Sequence, residues 1–125
     1  MFSLLAFLAF QIADTPVKAS VSGAACVIAA KDSSDQSKAG AHVVCDGEGD
    51  QEEINNAIRA LPEVGGRVLL MEGTFDIRRV EGALGGVLIE RSNVTLEGQG
   101  PSTNLVQAPN QETNVIRIIG SGVGH

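Results

Sequence analysis

The chain has 125 residues, 43% of them hydrophobic, enough for one modest domain. Its net charge of −6, with no basic cluster larger than the Arg78–Arg79 pair, argues against a nucleic-acid partner, and the same acidity would repel a polyuronate unless a cation intervened. With 15 glycines, four Phe, no Trp and no Tyr, aliphatic side chains must build the core, and frequent glycines between short Val/Leu/Ile runs favour a β architecture with many corners.

Residues 2–10, FSLLAFLAF, form an apolar run of the length of a signal-peptide core and too short for a membrane span. Small residues follow near Ala19 and Ala24–Ala25, although no Lys or Arg precedes the run and Asp14 and Pro16 come soon after. Residues 1–25 therefore read as a signal peptide or an apolar leader. Cys26 and Cys45 allow one disulfide in an oxidising compartment, or two buried thiols; they exclude a cysteine-rich zinc site.

Residues 26–30 (CVIAA) and 42–45 (HVVC) are predicted as short strands, and the polar stretch 31–40 between them as a loop. His42 opens its strand with no nucleophile motif nearby and reads as a surface or hydrogen-bonded histidine. The turn Asp46-Gly-Glu-Gly-Asp50 invites a ligand reading, but fails two. A calcium loop of the helix–loop–helix type would need Gly at 51 and Glu at 57, where Gln51 and Ala57 stand. A dinucleotide fingerprint would need Gly at 52, where Glu52 stands; Gly98-Gln-Gly100 fails likewise at Thr103. Asp50 is better read as the N-cap of a helix over 50–61, with Glu53 reaching back to the cap N–H. Ile54, Ala57, Ile58 and Leu61 give that helix one apolar face.

Pro62 and Gly65–Gly66 end the helix, and a periodic region follows. Val68-Leu-Leu-Met-Glu-Gly73, Asn93-Val-Thr-Leu-Glu-Gly98 and Val115-Ile-Arg-Ile-Ile-Gly120 align on their closing glycines, at a spacing within the range of solenoid repeats. Apolar runs at 74–77, 87–89 and 104–106 lie between them, and helical periodicity is absent. This pattern predicts a coil of strands, a parallel β-helix in which each strand pairs with its equivalent one coil on. The first coil would present an edge, and the helix at 50–61 is the expected cover.

VVCDGEGDQEEINNAIRALPEVGGRVLLMEGTFDI, followed by SNVTLEGQGPST, resembles the N-terminal part of the pectate lyase superfamily of right-handed parallel β-helices, including rhamnogalacturonase- and epimerase-like proteins and phage tailspikes. The resemblance covers about residues 42–107. It implies a mainly β fold, residues 26–125 forming the first coils and helical cap of a domain that continues beyond His125. It also implies the structural region of a carbohydrate-active protein, a polysaccharide lyase or glycoside hydrolase, or alternatively a non-catalytic tailspike-like or cell-surface adhesin. The location implied is extracellular, on the cell surface or in a phage virion, and the partner a polysaccharide. Self-association through the open end is a further expectation. Catalytic carboxylates and calcium-binding aspartates of the family lie on later coils, so no catalytic, cofactor or metal residue is assigned here; calcium is an expectation for a longer protein only.

Glu72 and Glu97 hold the same place in the glycine alignment, which would bring their backbones about 4.8 Å apart. They read either as solvated edge carboxylates or as a contact for calcium or sugar. Asn93-Val-Thr95 is a formal glycosylation sequon, though Asn93 is better explained as a corner residue. Asp76, Arg91 and Arg117 read as ordinary charges on strand faces, and His125 is terminal.

Overall fold

The computed structural model describes residues 25–120; all of the leader but Ala25, and His125, fall outside this range. The described residues fold mainly into strands, all of them paired in parallel, with few helices. The order is β1 (Ala25–Ala29), α1 (Asp35–Gly40), β2 (Val43–Val44), α2 (Gln51–Ala60), β3 (Gly66–Leu70), β4 (Gly73–Ile77), β5 (Gly85–Ile89), β6 (Val94–Glu97), β7 (Thr103–Gln107) and β8 (Asn114–Ile118). A short 3-10 turn, Gly100–Ser102, leads into β7. Among the described residues no helix is long and apolar enough to cross a membrane.

Three sheets form. One has the order β2-β1-β3-β6, and the other two are the pairs β4-β7 and β5-β8. Arg67 pairs with Thr95, Thr74 with Asn104 and Val87 with Ile116. Each of these offsets exceeds the step from Gly73 to Gly98 or from Gly98 to Gly120. The glycine alignment is thereby corrected. Leu69, not Glu72, stands beside Glu97. The third aligned segment pairs with β5 rather than with β6. The aligned glycines are not equivalent corners: Gly73 opens β4 at φ 135°, whereas Gly98 follows the end of β6.

The core sits between these strands and α2. Ile28, Val68, Leu70, Phe75, Ile77 and Val87 are buried with Ile54, Ala57, Ile58 and Leu61 from the helical segment. In β4 the buried residues alternate, Phe75 and Ile77 inside and Thr74 outside, as the period of two requires. Burying Ile54, Ile58 and Leu61 contributes roughly 1.5–3 kcal/mol each, so the predicted apolar face is what seats α2 on β3, β4 and β5.

Two local expectations fail. Residues 31–40 are not all loop, because Ser34 accepts the Ser37 N–H and starts α1. Asp50 is not a side-chain cap of α2: it already has helical dihedrals (φ −64°, ψ −14°), and its carboxylate makes no bond to the first turn. Nor does Glu53 reach the Asp50 N–H, which donates instead to the Asp76 carbonyl at 2.7 Å. Cys26 and Cys45 are both free thiols, the first half-buried and the second buried.

Candidate functional site

The acidic turn before α2 is a clamp onto β4. Gly47 and Gly49 take φ values of 90° and 62°, which side-chain-bearing residues rarely adopt. These corners aim their N–H groups at carboxylates. Gly47 donates to Asp50 Oδ1 at 3.0 Å and Gly49 to Asp76 Oδ2 at 2.9 Å. Asp50 Oδ2 accepts the Asp76 N–H at 2.9 Å. Burial raises the Asp50 carboxyl pKa, against the pull of the two N–H groups that favour its ionised form. The Gly49 N–H, assisted by Arg78, holds Asp76 below its ordinary value. Asp76 is thus an anchor rather than the ordinary face charge expected.

The first turn of α2 continues along the same strands. Gln51 Oε1 accepts the Arg78 N–H, while Asn55 donates its amide to the Gly86 carbonyl and accepts the Leu88 N–H, both at 2.8 Å. Asp50, Gln51 and Asn55 are all buried. Together they occupy backbone groups of β4, β5 and the segment after β4 that no neighbouring strand reaches. Sequence reasoning missed Gln51 and Asn55, although a signal was there: with Ile54 and Ile58 they complete an i, i+3, i+4, i+7 face, and polar residues inside such a stripe must find buried partners.

Glu72 and Glu97 are separated in their roles. Glu72 holds α1: Oε2 accepts the Ser34 N–H and Oε1 the Ser37 hydroxyl, each at 2.9 Å. These donors, the Ser34 N–H foremost, lower its pKa to about 2. Glu97 lies 3.3 Å from Arg67 in an exposed ion pair. The structure does not bring the two carboxylates together as a shared site.

His42 is exposed and satisfied, its Nδ1 accepting the Val27 N–H at 2.9 Å. Asn93 is a corner residue at φ 63°, its carbonyl accepting the Gly66 N–H. Arg91 is more than a face charge. Its guanidinium donates to the carbonyls of Ile58 at 3.0 Å, Leu61 at 2.9 Å and Pro62, satisfying the open C-terminal end of α2. Arg117 sits on β8 beside Leu88.

The opposite edges of the sheets are different. Among the described residues β6, β7 and β8 each have one partner strand only. A cavity of about 320 Å³ lies at that side, lined by Leu70, Leu96, Thr103, Leu105 and Ile116 among others. Val106, Ile116, Ile118 and Ile119 are all exposed nearby in sequence. A second, polar cleft of about 580 Å³ runs between α2 and residues 79–88. No family model, curated protein or solved structure matches this chain.

Proposed function

We propose that residues 26–120 are the closed starting end of a right-handed parallel β-helix of the pectate lyase type, and that the protein acts on or binds polysaccharide with this region in a structural role. The observation that carries the fold is the repeated parallel register: β3, β4 and β5 are followed, in the same order and at nearly equal offsets along the chain, by their partners β6, β7 and β8. The helix α2 is the closing element in this reading. Its Asp50, Gln51 and Asn55 side chains stand where a preceding coil would supply main-chain groups. The other edge, with strands paired on one side only among the described residues and with exposed aliphatics, is the growing side, where further coils or another copy would stack.

The polysaccharide partner rests on the resemblance of residues 42–107 together with this register. A structural rather than catalytic role for these coils is supported by their carboxylates, since Asp50, Asp76, Glu72 and Glu97 are each engaged in hydrogen bonds or an ion pair within the fold. The location that fits is extracellular, at a cell surface or in a virion.

Affinity electrophoresis through gels carrying polygalacturonate, rhamnogalacturonan or a neutral glucan tests the partner, with ultraviolet absorbance recording any unsaturated uronide formed. Retardation by one glycan without product is the expected result. No retardation by any of them favours the rival, a non-catalytic stalk or adhesin. Product formed by this chain alone would overturn the structural assignment.

A further inference from the structure

Cys45 follows β2, Asp50 precedes α2 and Glu53 lies in the first turn of α2. One candidate ligand atom from each lies within 4.8 Å of the other two. Cys45 is 3% exposed and Asp50 fully buried, while Glu53 is half-buried. A second observation is independent of this clustering. Oε1 of Glu53 is shielded from solvent and has no hydrogen-bond partner among the described residues. Cys45, the more enclosed of the two thiols, is free and faces the same two carboxylates.

A shielded carboxylate oxygen without a donor costs free energy unless a proton or a cation satisfies it. Asp50 is already oriented, because each oxygen accepts one backbone N–H and keeps a lone pair free.

The donor chemistry selects the ion. Calcium takes six to eight oxygens, whereas one thiolate and two carboxylates suit a zinc-type cation, with bonds of roughly 2.3 Å to sulfur and 2.0–2.2 Å to oxygen. Of the three, Glu53 also lines a cleft of about 310 Å³ with Cys26, Val43, Asn56, Ala57 and Ala60. We propose that Cys45, Asp50 and Glu53 bind one zinc-type divalent cation, tying the turn at 46–50 to the start of α2. On binding, the thiol proton leaves to solvent as the sulfur–metal bond forms.

Titration of the reduced, metal-free protein with cobalt(II) tests this. One equivalent is expected to raise a thiolate-to-cobalt charge-transfer band in the near ultraviolet, with the visible bands of a four-coordinate ion, and zinc should displace it. Cys45→Ser should abolish the charge-transfer band, and Glu53→Gln should weaken binding at least tenfold. Cys26→Ser should change neither. Zinc should raise the unfolding temperature of the wild type and of Cys26→Ser. No band at one equivalent in the folded wild type overturns the site, as does loss of the band in Cys26→Ser. Should Cys45→Ser fail to fold, the wild-type, Cys26→Ser and Glu53→Gln titrations still decide the matter.

Discussion

Asp50 and Asp76 bond each other twice, as two paired strands would. The Asp50 N–H donates to the Asp76 carbonyl at 2.7 Å, and the Asp76 N–H donates to the Asp50 carboxylate at 2.9 Å. A side chain thus completes what a main-chain carbonyl would otherwise supply. Asp50→Ala removes the acceptor for both the Asp76 and Gly47 N–H groups, each worth roughly 1–3 kcal/mol when left buried and unpaired. Urea unfolding should show a loss at the upper part of that range or beyond. A change under about 0.5 kcal/mol would mean that water replaces the carboxylate at no cost.

Asn55 serves β5 as Asp50 serves β4, but with a donor as well as an acceptor. Asn55→Asp keeps the acceptor for Leu88 and sets a carboxylate against the Gly86 carbonyl. Asn55→Leu removes both partners. Both variants should be destabilised, by roughly 1–3 kcal/mol per broken bond. In Asn55→Leu the amide of Leu88 should exchange with deuterium much faster than in the parent. Unchanged Leu88 protection there would show that α2 does not secure this edge.

Acid should release α1. The Glu72 carboxyl stands at about 2 in the fold against an ordinary 4.5. Because the folded value is depressed, its contribution is complete above pH 4.5 and is lost as pH falls toward 2. Asp76 shifts in the same direction. The Ser34 amide resonance should titrate with a midpoint near 2, and Glu72→Gln should remove that titration. A midpoint near 4.5 would contradict the bonded arrangement.

Gly65 has φ 103°, and a Cβ there would collide with the backbone carbonyl of Asn93. Strain from the dihedral alone is about 1–3 kcal/mol. Gly65→Ala should therefore cost more than that, since Asn93 is itself a corner that also bonds Gly66. Gly40→Ala, where a Cβ meets nothing within 4 Å, is the matched control and should stay within about 0.5 kcal/mol of the parent. Equal losses in the two thermal melts would refute the steric argument.

The strands were legible because short runs such as Val87-Leu-Ile89 are flanked by glycine or polar corners, and the apolar face of α2 was legible for the same kind of reason. The interval was not, because counting from glycine to glycine assumes corners of equal length, and Gly73 and Gly98 sit at different places relative to their strands. Helix α1 was missed because DQSKAG carries no apolar periodicity, and part of its hold comes from Glu72, distant in sequence. Cys45, Asp50 and Glu53 could be named from the sequence but not brought together, since their meeting depends on how the turn at 46–50 folds back.

The parallel ladder also sets the order in which the chain can assemble. The β1–β2 contact, Ile28 beside Val43, closes the shortest span of the fold. The β1–β3 contact, Cys26 beside Val68, closes the longest, and the other pairs fall between. Closing spans of that kind costs roughly 2 kcal/mol more chain entropy than closing a tight hairpin. Refolding should accordingly be slow for so short a chain, on the order of milliseconds to seconds. During synthesis, β1 must wait for β3 to emerge before it gains its longer partner.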